Sequence, residues 1–141
     1  MNIDLDLIHA KIRNIQNCLN SIKKYTRDFD LDSLDEIMVQ DSVIINVERA
    51  SQACVDIASH IVSKKALGVP LSMGDAFYLL YNNEYISSKT WKQMNKMVGF
   101  RNVAVHEYDV LDIDILKSVI KHNLVDFENF YKEILTSVSV D

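Results

Sequence analysis

The chain predicts an all-α fold, an up-and-down bundle of about five helices. Three observations predict it. Three Gly and one Pro in 141 residues leave little punctuation for many turns, so the elements must be few and long. Apolar residues recur at intervals of three and four along most of the sequence, the period of a helix with one buried face. No segment alternates apolar and polar residues for more than a few positions, as a half-buried strand would.

The first helix is expected from about Asp4 to Tyr25, on the stripe Ile8, Ile12, Ile15, Leu19 and Ile22. Arg27-Asp28-Phe29-Asp30 reads as the break. Ser33 with Glu36 three later reads as a capping box opening a long second helix to about Lys65, with a bend near Asp41. Its core stripe is Val43, Val47, Ala50, Cys54, Ile57 and Ile61. Gly68-Val69-Pro70 ends it. Ser72 with Asp75 caps a short third helix through Asn82. Ser87 or Ser88 starts a fourth, which carries Trp91, Met94 and Val98 inward. Asp109 or Asp112 starts the last, on Ile113, Leu116, Ile120, Leu124, Phe127, Tyr131 and Ile134.

The length fits one domain, residues 1–141, large enough to bury a core. The residues after Leu135 are expected to be unstructured. A composition of 48% hydrophobic and 25% charged residues is that of a globular protein in water. No apolar run approaches the roughly 20 residues that span a bilayer. The acidic start, Met1-Asn2-Ile3-Asp4-Leu5-Asp6, lacks the basic-then-apolar order of a signal peptide. A cytoplasmic protein without a membrane partner is expected. Cys18 and Cys54 fall among apolar helical positions and read as buried thiols rather than a disulfide.

The net charge of −5 argues against nucleic acid, although local charge overrides net charge at a binding surface. Lys89, Lys92 and Lys96 share one helix face, either as a solvated face or as an RNA-binding strip leading to Arg101. On the second helix Asp41, Glu48 and Gln52 project to one side, near Leu34, Met38 and Ile45. That face is open to three readings: plain solvent exposure, self-association, or the wall of a cleft.

The residues that carry chemistry lie at the end of the fourth helix, in Arg101-Asn102-Val103-Ala104-Val105-His106-Glu107-Tyr108. RNA brings its own nucleophile, the ribose 2′-hydroxyl. Cleavage then needs a group to move protons and a cation for the phosphorane charge. Histidine, with an unperturbed pKa of about 6.5, serves as acid or base near neutral pH. Arginine stays charged and its planar fork matches phosphate oxygens. Arg101 and His106 are the pair that fits this chemistry, although Arg and His fall about five apart by chance in many helices, and a lone His near a helix end such as His106 also reads as a cap or a surface residue. By itself Arg101 also reads as half of a surface ion pair, with Glu107 or Asp109. Five residues separate Arg101 and His106, which sets them about 140° apart on a straight helix. Either the helix is distorted after Gly99, or a site draws on two chains. Asn102, four before His106, shares its face and is the supporting candidate. Tyr108 alone reads as a half-buried packing residue. His9, His60 and His122 have no such context and read as structural or exposed. No Cys or His cluster has metal-ligand spacing, so no metal and no cofactor are expected. No Gly-rich phosphate loop and no Ser-His-Asp set is present.

The run Met97-Val98-Gly99-Phe100-Arg101-Asn102-Val103-Ala104-Val105-His106 resembles the signature of the HEPN superfamily, and most closely its HepT-like toxin branch. Gln40 to Ala50, followed by Ala53-Cys54-Val55-Asp56-Ile57-Ala58, resembles that branch's second helix. The resemblance covers nearly the whole chain, in order. It implies a HEPN-type bundle that pairs as a homodimer and brings two copies of the motif to one cleft. It implies a metal-independent endoribonuclease toxin, acting on transfer or messenger RNA and leaving a 2′,3′-cyclic phosphate. It also implies a partner, a minimal nucleotidyltransferase antitoxin that attaches AMP to the motif tyrosine, here Tyr108. Related sequences often carry a Glu near the place of Gln52, and this chain departs from them there. A second reading of the same resemblance is a non-catalytic HEPN module that binds the transferase as a scaffold.

Overall fold

The computed structural model describes residues 2–106 and 112–139, with residues 104–106 described by their backbone alone. Its helices are α1 (Leu5–Tyr25), α2 (Ile37–Lys64), α3 (Met73–Asn82), α4 (Ser88–His106), α5 (Ile113–Ser118) and α6 (Leu124–Val138). A 3₁₀ turn (Leu31–Asp35) precedes α2, and a π-helical turn (Val119–Asn123) joins α5 to α6 in one rod. No strand occurs among the described residues. The all-α expectation holds, and the single last helix of the sequence reading is this rod.

The long pair α1 and α2 run antiparallel. At one end the Asp4 backbone N–H donates to His60 Nε2 at 2.9 Å, and further in Lys11 meets Asp56 at 2.8 Å. Between the two helices Ile8, Ile12, Ile15 and Ile22 face Val43, Val47, Ala50, Cys54, Ile57 and Ile61, all buried. α3 and α4 pack beside α2, and Phe77, Phe127 and Phe130 close the core with α6. Burying a side chain of that size contributes about 2 kcal/mol.

Four expectations are corrected. Ser33 and Glu36 do not form a capping box. Asp30 caps the 3₁₀ turn, accepting from the Asp32 N–H, and Glu36 stands at the N-cap of α2 without a side-chain bond, pairing instead with Arg27 at 3.0 Å. The chain reverses before α2 through three consecutive left-handed residues, Arg27, Asp28 and Phe29 (φ 51°, 65° and 64°). That conformation disfavours L side chains; the Phe29 N–H bond to Thr26 Oγ1 and the Asp28 N–H bond to Lys23 O support it. The irregularity thus precedes α2, which runs unbroken through Asp41. Leu34 is fully buried on the 3₁₀ turn and is not part of the exposed face of α2. At the other end α6 continues past Leu135 to Val138, whose side chain is buried, because the apolar period extends one turn further than expected.

The remaining caps follow the sequence. Ser72 Oγ accepts from the Asp75 N–H at 3.3 Å, and the Asp75 carboxylate accepts from Leu71 N–H at 2.9 Å, fixing the start of α3. Ser87 accepts from Thr90 N–H at 3.2 Å, and Asp112 from Asp114 N–H at 2.9 Å.

Candidate functional site

α4 holds the motif, and its position is set at both ends. At its start the Glu133 carboxylate, from α6, accepts from the Ser87 N–H and from the buried Thr90 hydroxyl. Along its inner face Thr90, Met94 and Met97 are buried, with Val98 packed beside them. Arg101, one turn beyond Met97, continues that inward stripe.

The consequence for Arg101 is specific. Its Nη1 donates to Met73 Sδ at 3.6 Å, and its Nε is buried with no hydrogen-bond partner among the described residues. The guanidinium therefore lies against the first residue of α3 and is only partly exposed. The ion-pair alternative names Glu107 and Asp109, which lie outside the described residues. Asn102 is exposed on the next face of the helix. α4 is helical from Ser88 through His106, without a break after Gly99. A Cβ at Gly99 would meet nothing within 4 Å, so that glycine is not demanded by packing. Distortion of the helix therefore does not bring positions 101 and 106 together; they stay about 140° apart. His106 falls within α4, and Tyr108 lies outside the described residues.

Lys89, Lys92 and Lys96 are all exposed on α4. The segment Ser88–His106 contains these three lysines and Arg101, and no acidic residue, within a chain of net charge −5. Charge separation of that kind gives one surface a positive potential despite the overall balance.

On α2 the sequence face resolves into parts. Met38 is 84% exposed and Ile45 43%. Gln52 Nε2 donates to Asp56 Oδ1 at 2.9 Å, and Asp56 is held by Lys11. Gln52 is thereby tied into the α1–α2 contact, along a polar groove of about 410 Å³ that also takes in Asn14, Asn46 and Arg49. Asp41 is exposed and Glu48 half-buried. Cys18 and Cys54 are free, buried thiols. Burial pushes the Cys54 thiol far up, with Cys18 and Asp56 adding to the effect. It also raises Cys18, which the nearby Arg49 charge partly offsets. Both stay protonated and neither is an activated nucleophile. His9 and His122 are exposed, and His60 ties α1 to α2, as expected of residues outside the motif.

Among the described residues no group of three or more His, Cys, Asp or Glu side chains is placed to hold a metal ion. No helix among them is long and apolar enough to cross a membrane. Sequence reasoning missed three residues around the site. Met73 and Glu133 reach α4 from 28 and more than 40 residues away, with no local signal. Tyr78, which packs against Trp91, was visible only as part of the aromatic run Phe77-Tyr78-Leu79-Leu80-Tyr81.

The family model of ribonuclease HepT-like proteins matches residues 15–134. The mRNA nuclease HepT of Shewanella oneidensis is 42% identical over 125 residues, 89% of this chain and 93% of that protein. The tRNA nuclease HepT of Aphanizomenon flos-aquae is 26% identical over 136 residues, 94% and 90% of the two chains. The fold superposes on the tri-AMPylated Shewanella oneidensis HEPN toxin solved in complex with its MNT antitoxin, with a TM-score of 0.87 at 40% identity, covering 96% of this chain and 99% of that one. A toxin–antitoxin structure solved with AMP-PNP gives the same TM-score and identity over 93% and 98%. With most of its length matched by the family model and a full-length relative at this identity, the chain belongs to the HepT-like ribonuclease family of HEPN proteins.

Proposed function

We propose that this chain is the ribonuclease toxin of a toxin–antitoxin pair, acting as a homodimer on cellular RNA, with Arg101 and His106 as catalytic residues. The family and the nuclease names of its relatives support the activity class. The observation that carries the site is the unbroken run of α4 through Arg101 and His106. On such a helix the two positions face apart, so one scissile phosphate meets both groups only where two copies of α4 converge.

In this reading His106 of one chain takes the 2′-hydroxyl proton, and the 2′-oxygen attacks the adjacent phosphorus. Arg101 balances the charge that grows on the phosphorane oxygens. The leaving 5′-oxygen receives a proton from a histidine, and the products are a 2′,3′-cyclic phosphate and a 5′-hydroxyl. Asn102, exposed beside position 106 on the same face, holds a phosphate oxygen or orients the imidazole. Lys89, Lys92 and Lys96 attract the strand. None of these steps calls on a metal ion.

Neutralisation follows the same geometry. The relative solved as a tri-AMPylated toxin with its MNT antitoxin supports a minimal nucleotidyltransferase as partner and AMP as the modification. Tyr108, two residues past His106, is the acceptor. Each attached AMP sets a phosphate and a base where RNA would lie, adding like charge and bulk.

The deciding experiment is end-group analysis of an unstructured RNA oligonucleotide incubated with the purified chain in the presence of a chelator. Cleavage with cyclic phosphate and 5′-hydroxyl ends is expected. Activity that disappears with the chelator and returns with magnesium or manganese would refute the metal-free mechanism.

A further inference from the structure

The α3–α4 edge carries an aromatic cluster that the motif chemistry leaves unused. Tyr81 and Trp91 stack face to face, with centroids 4.8 Å apart and planes 3° from parallel. Tyr78 meets both edge-on, at 6.3 Å from Tyr81 and 5.4 Å from Trp91. The indole Nε1 is buried with no acceptor among the described residues, and ring packing holds Trp91 in place. Tyr78 stays 44% exposed, while its chain neighbour Phe77 is buried in the core.

The register of α4 ties this cluster to the motif. Trp91 and Asn102 are eleven residues apart, three turns with about 20° left over and a rise of about 16 Å. They lie on one edge of the helix. Asn95 and Gly99, between them, are exposed, and space above Gly99 is open. α3 runs antiparallel beside this edge. Its Met73 touches Arg101, a Cβ on Gly74 would come within 3.0 Å of Asn95 Oδ1, and Tyr78 and Tyr81 meet Trp91. Lys92 follows Trp91 and is exposed, on a helix without acidic residues.

We propose that Tyr78 is a base-stacking platform for single-stranded RNA, backed by Tyr81 and Trp91, and that the strand follows this edge of α4 from Tyr78 to Asn102 and the motif. The proposal rests on the ribonuclease reading above. An aromatic face accepts any base, and neighbouring lysines attract the backbone, which together describe sequence-tolerant single-strand binding. The absence of acidic residues on α4 favours an anionic strand over a protein surface as the occupant.

Two measurements test it. The first is steady-state cleavage of an unstructured oligonucleotide by wild type, Tyr78→Leu and Tyr78→Phe. Tyr78→Leu is expected to raise KM roughly tenfold with kcat nearly unchanged, the scale of one base–aromatic stack, and Tyr78→Phe to behave as wild type. The second uses the non-cleaving His106→Ala chain. Trp91 is the only tryptophan, so its emission is expected to change with oligouridine and not with inorganic polyphosphate. A 4-thiouridine oligonucleotide should crosslink to the peptide that holds Tyr78. Normal cleavage with unchanged KM in Tyr78→Leu overturns the platform and leaves the ribonuclease reading standing. A wild-type chain that neither binds nor cuts RNA overturns both. Should Tyr78→Leu fail to fold, crosslinks confined to other peptides overturn the platform. A Tyr78→Leu chain that only loses capture of the nucleotidyltransferase makes this edge a protein contact and also overturns it.

Discussion

Arg101 lies against Met73, its Nη1 3.6 Å from the thioether sulfur, although 28 residues separate the two in the chain. The contact turns the motif arginine toward α3 and buries its Nε. Sulfur is a weak acceptor and contributes little hydrogen-bond energy. The contact therefore orients the guanidinium without neutralising its charge.

For Arg101 the expectation is a loss of cleavage without a loss of fold. Arg101→Lys keeps a positive charge but not the planar fork. Activity is expected to fall about a hundredfold, the scale of one lost donor at a developing oxyanion. Circular dichroism on the same sample should match wild type. A lysine chain that cuts at full rate would remove phosphate recognition from this position.

His106→Ala is expected to lower cleavage by about 10² to 10⁴, the range of general acid–base catalysis, and to abolish growth inhibition. The readouts are single-turnover cleavage and colony formation after induction. A folded variant with wild-type turnover would falsify the assignment of the proton-transfer role.

The proposed two-chain site predicts complementation. Arg101→Ala and His106→Ala chains, each inactive, are mixed after partial denaturation and refolding. A mixed dimer contains one site with both wild-type groups, so activity should return to a fraction of wild type. Light scattering checks the dimer independently. A fully active monomer at micromolar concentration contradicts this prediction.

Tyr108→Phe keeps the ring and removes the proposed attachment point for AMP. The variant should still cut RNA, because a phenol with an unperturbed pKa of about 10 is a poor base at neutral pH. It should escape neutralisation by the partner transferase and ATP. Intact-mass spectrometry is expected to show AMP increments on wild type and none on Tyr108→Phe. The same increments on both chains would place the modified residue elsewhere.

Glu133→Ala removes the acceptor for the Ser87 N–H and for the buried Thr90 hydroxyl. A buried hydroxyl left without a partner and the lost bond from the Ser87 N–H together cost about 2 kcal/mol. Thermal unfolding should shift down by several degrees. Adding Thr90→Val should recover part of that loss, because the stranded hydroxyl is then gone.

The sequence by itself determined the helices and the motif on them. Periodic apolar residues such as Val43, Val47, Cys54 and Ile61 mark a buried face wherever they stand, because helix geometry is local. Ser72 with Asp75, and Asp112, mark helix starts for the same reason, since a cap bonds backbone two or three residues away. The capping reading failed at Ser33 and Glu36, where a left-handed turn and the burial of Leu34 chose a 3₁₀ segment over an earlier helix start. Only the tertiary structure decided which way Arg101 faces, what holds the start of α4, and that Tyr78 and Tyr81 meet Trp91. Each of these joins residues ten or more positions apart, through side chains that leave no periodic trace. Their meeting depends on how the helices pack, and packing distances are not written in the spacing of residues along any one helix.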